Sequence, residues 1–94
     1  MENRKTIRTA AQKKALTNRL KRLEGQIRGL EKMIEEDAYC NDIIQQSMSA
    51  GSAIDGFNRE LLGYHIKGCV TAGIRNNDEE IVDELLITLR KLMK

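Results

Sequence analysis

Proline and tryptophan are absent from this 94-residue chain, and its aromatic residues are limited to Tyr39, Phe57 and Tyr64. With no proline to interrupt a helix and an apolar set dominated by leucine and isoleucine, long helices are favoured over a β-rich core. No apolar run approaches the ~18 residues that cross a bilayer as a helix, and the opening MENRKTIRTA has no apolar core of a secretory signal. A cytoplasmic protein that does not engage membranes is expected. Cysteine is scarce, with Cys40 and Cys69 alone, and His65 is the one histidine. In a reducing compartment two such cysteines point to metal binding or redox sensing rather than to a structural disulfide. The length allows one domain, and a domain this small buries only about 60–65% of the surface its unfolded chain exposes, so that oligomerisation would help it.

The net charge is only +2, but it is unevenly spread. Residues 1–28 hold nine basic side chains against Glu2 and Glu24, a surplus of +7, and the remainder therefore carries −5. A basic front of this kind suits a polyanion such as double-stranded DNA; a solvated basic helix without a ligand is the plainer reading of the same charges.

Hydrophobic spacing organises the rest. Residues 1–9 are polar and basic, with Ile7 their one bulky apolar group, and are read as a flexible N-terminal arm; residues 10–94 are read as a single helical domain. From about Ala10 to Glu36, Leu16, Leu20, Leu23, Ile27, Leu30 and Ile34 recur at alternating steps of four and three, a coiled-coil-like seam on a long first helix. Gly25 and Gly29 mark a place where another helix could approach closely. Asp37 and Asn41 are candidate caps for a second helix running from about Cys40 to Gly73, whose apolar band (Ile43, Ile44, Met48, Ile54, Phe57, Leu61, Leu62, Ile66) is wide enough to face more than one neighbour. A third helix, about Glu79 to Leu92, is expected to bury Ile81, Val82, Leu85, Leu86, Leu89 and Met93. The fold class is all-α, with three helices per protomer.

His65 and Cys69 form an H-x3-C pair, one turn apart on one face of a regular helix. Cys40 lies 25 residues before His65, which is roughly 37 Å along a continuous helix. One chain cannot bring the three together. Two antiparallel copies of the second helix can, placing Cys40 of one protomer beside His65 and Cys69 of the other and giving two equivalent intersubunit sites. Two thiolates and an imidazole are soft donors that suit Cu(I) better than Mg²⁺, Ca²⁺ or Mn²⁺; zinc is possible with a fourth ligand. Two readings need no metal: the thiols are small buried hydrophobes, or Cys40 and Cys69 form a dithiol switch answering to oxidant or persulfide. Tyr39 and Glu84 are candidates for hydrogen bonds to the site, since a metal-bound histidine usually donates its other ring N–H to a carboxylate or carbonyl.

The segments Asn18–Gly29 (NRLKRLEGQIRG), Met33–Cys40 (MIEEDAYC) and His65–Val70 (HIKGCV) together resemble the copper-sensing operon repressor (CsoR) family, over roughly Leu16 to Met93. The resemblance implies three-helix protomers that pair through antiparallel first and second helices into a four-helix-bundle dimer, assemble as a dimer of dimers, and carry no helix-turn-helix. It implies that Cys40, His65 and Cys69 bind Cu(I) between protomers, with Tyr39 and Glu84 behind them, and that the metal releases DNA. The match at Glu84 needs a one-residue gap in the loop before the third helix. Nickel/cobalt-sensing members use further N-terminal histidine, which this chain lacks; formaldehyde-responsive members lack the second cysteine, which it has. Persulfide-sensing members keep both cysteines and usually lack the histidine, so His65 favours copper, with persulfide and no cofactor as the alternative. The polar stretch Gln46–Ser52 departs from the family's more apolar pattern.

Lys13, Lys14, Arg19, Lys21, Arg22 and Arg28, with the arm, are the expected phosphate contacts. The partners expected are therefore operator DNA and further copies of the chain, as homodimer or homotetramer. A helical adaptor indifferent to Cys40 is a competing class. A thiol enzyme is disfavoured, because there is no C-x-x-C and no second histidine to activate a nucleophile.

Overall fold

The computed structural model describes residues 5–93. Residues 1–4 of the expected arm, and Lys94 of the expected helical domain, lie outside the described residues. Residues 5–9 have no regular structure, and Ile7 is almost fully exposed. From there the chain is helical throughout: α1 (Ala10–Glu35), α2 (Cys40–His65), a π-helical turn (Ile66–Val70), α3 (Thr71–Arg75) and α4 (Glu79–Leu92). Backbone angles at His65, Val70 and Thr71 all stay in the right-handed helical region. Helical winding therefore continues along the chain from Cys40 to Arg75, wider over five residues, and the three helices read from the sequence are present. No strand occurs among the described residues. The protein is all-α, and none of its described helices is long and apolar enough to cross a membrane.

Two compact units make up the chain, dividing between Leu61 and Leu62. In the first, α1 starts with a capping box, a signal carried locally by Thr9-x-x-Gln12: the Gln12 amide donates to Thr9 Oγ1 at 3.1 Å and the Thr9 amide to Gln12 Oε1 at 3.0 Å. It stops where Asp37 turns left-handed, φ 55°. The Ala38 amide then reaches back to the Met33 carbonyl (2.9 Å) and the Asp37 amide to that of Ile34 (3.2 Å), satisfying carbonyls that the end of a helix leaves open. Asp37 thus closes α1 instead of capping α2, and Asn41 lies inside α2. It is the Tyr39 carbonyl that receives the first amides of α2, those of Asp42 and Ile43.

The Arg19 guanidinium meets the Glu60 carboxylate. With the turn at residues 36–39 between them, this pairing makes α1 and α2 antiparallel. Of the seam, Leu16 is buried and Leu23 and Leu30 half-buried, whereas Leu20, Ile27 and Ile34 are 36%, 46% and 62% exposed. One heptad column is covered within the protomer and the other is not. On α2, Ile44 and Met48 are likewise 56% and 68% exposed. A carbon added at Gly25 or Gly29 would meet nothing within 4 Å, so the close helix approach expected there does not occur within the protomer.

The second unit holds the end of α2, the π-helical turn, α3 and α4. Asn77, φ 59°, repeats the left-handed closure: the Asp78 amide bonds the Gly73 carbonyl at 2.8 Å and the Asn77 amide that of Ile74 at 3.1 Å. The chain reverses into α4, whose Ile81 lies so close over Gly73 that a β-carbon there would sit 2.6 Å from Ile81 Cγ2. Glu79 and Glu80 occupy the first turn of α4 and Arg90 and Lys91 the last, each complementing the helix dipole. Val70 and Gly73 are the buried residues described in this unit. Ile81, Val82, Leu85 and Leu89 are half-buried as expected, but Leu86 and Met93 are 48% and 80% exposed. Among the described residues Leu16, Ala50 and Val70 are the buried apolar side chains, too few to form a self-sufficient core.

Candidate functional site

The sulfur and nitrogen donors sit where helical geometry changes. Cys40 is the first residue of α2 and is exposed; Tyr39, just before it, is 73% exposed. His65 is the last residue of α2 and half-buried. Cys69 is half-buried within the π-helical turn, and neither cysteine is in a disulfide. The H-x3-C pair is therefore not a regular α-helical i, i+4 pair, because hydrogen bonds spanning five residues widen the turn and change the direction in which Cys69 leaves the axis. Glu84 lies on α4, lining a shallow open groove with Glu80, Asp83, Ile87, Thr88 and Lys91. Among the described residues the protomer gathers no group of three His, Cys, Asp or Glu side chains that could hold a metal ion.

The basic residues expected to meet phosphate all lie on α1, and Lys13, Lys14, Arg19, Lys21, Arg22 and Arg28 are all exposed. Lys14, Lys21 and Arg28 recur every seven residues, two positions before Leu16, Leu23 and Leu30, so their column points about 160° away from the covered leucine column. Arg19 stands apart from the other five. Its guanidinium is held by Glu60, and it lies over Gly56, where a β-carbon would come within 3.0 Å of its Nη1. Part of its charge is thus matched inside the protomer. Glu60 had no local signal in the sequence, being 41 residues away from its partner.

Thr71 was also unmarked in the sequence. Its hydroxyl donates to the Ile66 carbonyl at 2.8 Å, and its amide is directed to the carbonyls of Ile66 and Gly68. Gln26 is a third such residue: its Oε1 is buried without a hydrogen-bond partner, a costly arrangement for an amide oxygen.

An all-helical protomer of this kind combines a basic column suited to a polyanion with soft donors suited to a small soft ion. Residues 12–91 match the family model described as metal-sensitive transcriptional repressor. The chain is 39% identical over 88 residues to the copper-sensing transcriptional repressor CsoR of Bacillus subtilis, covering 93% of this chain and 87% of that one. It is 43% identical over 63 residues to the copper-sensing transcriptional repressor RicR of Mycobacterium tuberculosis, 67% of this chain and 66% of that one. The crystal structure of the copper-sensing repressor CsoR with Cu(I) from Geobacillus thermodenitrificans superposes with a TM-score of 0.88 at 34% identity, over 96% of this chain and 95% of that one. The nickel-responsive transcriptional regulator InrS gives a TM-score of 0.72 at 29% identity, over 94% and 97% of the two chains. The chain belongs to the CsoR family of metal-sensitive transcriptional repressors. It is a regulator and not an enzyme.

Proposed function

We propose that the protein is a cytoplasmic repressor, bound to operator DNA through the basic face of α1, that lets go of the DNA when Cu(I) is held by Cys40 of one protomer and His65 and Cys69 of another. The observation that carries this reading is the placement of Cys40 and His65 at the first and last positions of one helix, in a protomer whose described residues gather no three ligands of their own. Antiparallel pairing of two α2 helices completes the set twice. It also covers apolar columns that would otherwise stay in water, Leu20, Ile27 and Ile34 on α1 and Ile44 and Met48 on α2.

The donor chemistry fits the ion, for two thiolates and one imidazole make a soft set without the oxygen ligands that hard cations need. Cu(I) would supply a centre that ties the two protomers together at both ends of α2. The chain's own residues do the rest. Both thiols must give up their protons for binding, so uptake of the ion releases protons, and in this reading Tyr39 and Glu84 supply hydrogen bonds that support the ligands. Tying the protomers selects one spacing of the Lys14, Lys21 and Arg28 columns in the homodimer or homotetramer. Release follows where that spacing no longer matches the phosphates, at a coupling of typically about 1–3 kcal/mol per pair of sites.

The test is fluorescence anisotropy of the reduced protein on its promoter DNA, titrated anaerobically with Cu(I) and, separately, with an organic persulfide. Release by one Cu(I) per protomer, lost in His65→Ala, is the expected result. Release by persulfide that survives His65→Ala and is reversed by reductant would replace copper with a dithiol switch at Cys40 and Cys69.

A further inference from the structure

We propose that Thr71 is a positioning residue of the sensing site, its hydroxyl locking the π-helical turn that sets the direction of Cys69 relative to His65. This rests on the reading of His65 and Cys69 as joint ligands. In an α-helix a threonine hydroxyl returns to a carbonyl three or four residues back. Thr71 Oγ1 instead reaches the Ile66 carbonyl, five residues back, at 2.8 Å. That carbonyl also faces the Thr71 amide, so one acceptor is approached twice from the same residue, and the bracketed segment is the one that contains Cys69. A widened turn competes with the ordinary α-helical register of the same residues. The hydroxyl bond across five residues belongs to the wide form and selects it.

The two sides of the turn differ in how tightly they are packed. On its C-terminal side, Val70 is 4% exposed and Ile81 is pressed against Gly73. On the other side Gly68, next to Cys69, has nothing within 4 Å of where a β-carbon would be, so neither a side chain nor a neighbour steadies it. Glycine is the residue with the most backbone freedom to lose, and the Thr71 hydroxyl ties this segment through the Ile66 carbonyl. An ion that needs His65 and Cys69 at once is sensitive to their mutual direction, as metal sites are to the groups that orient their ligands.

The experiment compares the full-length, reduced wild type with Thr71→Val, which keeps the shape and loses the hydroxyl, and Thr71→Ser, which keeps the hydroxyl. Cu(I) affinity is read by competition with a chromogenic Cu(I) chelator. The rate at which iodoacetamide alkylates Cys69 is read without metal, in a Cys40→Ala background. Thr71→Val is expected to keep its helical circular dichroism and to lose about tenfold in Cu(I) affinity, in the range that orienting groups show at metal sites. Its alkylation rate should shift several-fold, and Thr71→Ser should restore both readings. Wild-type values for Thr71→Val, or a serine variant no better than the valine one, overturn the proposal. Failure of the wild type to take up Cu(I) would instead remove the copper reading, and the alkylation rates would then decide on Thr71 alone. Should Thr71→Val not fold, Thr71→Ala against Thr71→Ser carries the same comparison.

Discussion

The first helix and the helical segment that follows it are built on opposite plans. α1 is capped at both ends and repeats one pattern: a leucine column facing inward, an apolar column left uncovered, and a basic column on the far side. The helical segment from Cys40 to Arg75 has its soft side chains at its first residue, at the end of its α-helical part and in a π-helical turn. A regular charged helix suits a regular polymer, since phosphates recur and no single lysine need be placed to a fraction of an ångström. A small ion or a sulfur transfer needs individual atoms in fixed directions, and departure from regular winding is one way a helix provides them.

If that division is real, substitutions in the two regions should separate sensing from DNA binding. The largest effect is expected from Cys69→Ala, which should lower Cu(I) affinity at least a hundredfold while promoter binding without metal stays within a few-fold of wild type; a parallel loss of both in chelator competition and anisotropy would break the division. Next is the triple change Lys14→Ala, Lys21→Ala and Arg28→Ala. It should cost about a hundredfold in DNA affinity at physiological salt and flatten the plot of log K against log salt by about three for each protomer in contact, with Cu(I) stoichiometry unchanged.

Gly73→Ala probes the packing that holds the second region. The added carbon would stand 2.6 Å from Ile81 Cγ2, so overpacking should cost about 1–3 kcal/mol in urea unfolding. An unchanged midpoint would show that Ile81 can move aside. The smallest effect sharpens the case of Arg19, which belongs to the basic helix but is tied to Glu60. With side chains 44% and 23% exposed, the pair should contribute no more than about 1 kcal/mol. Glu60→Gln should leave stability nearly untouched and raise DNA affinity a few-fold by freeing the guanidinium. Unchanged affinity would mean that Arg19 serves the hairpin alone.

Legibility in the sequence followed the range of the interactions. The helices were readable because their causes are local: heptad steps from Leu16 to Ile34, the absence of proline, and turn residues between them. Asp37 was readable as a helix-boundary residue, although it proved to end one helix and not to cap the next. The donors Cys40, His65 and Cys69 stood out because they are rare and chemically distinct. Which half of the Leu16–Ile34 seam would be covered was not readable, since both halves satisfy the same period. Nor was the role of the glycines: Gly25 and Gly29 carry the more obvious spacing, yet Gly56 and Gly73 are the ones under Arg19 and Ile81.

By itself, the sequence determined that this is an all-helical chain with a basic first helix and soft donors spread along its second, because periodicity, charge and residue chemistry act within a turn or two of helix. Only the tertiary structure decided that Arg19 answers to Glu60, that Ile81 closes over Gly73, and that the turn carrying Cys69 is wound wider than α and bonded by Thr71. Partners such as Arg19 and Glu60 are chosen by how helices reverse and pack, and a register change between i→i+4 and i→i+5 costs too little in local preference to leave a mark on composition.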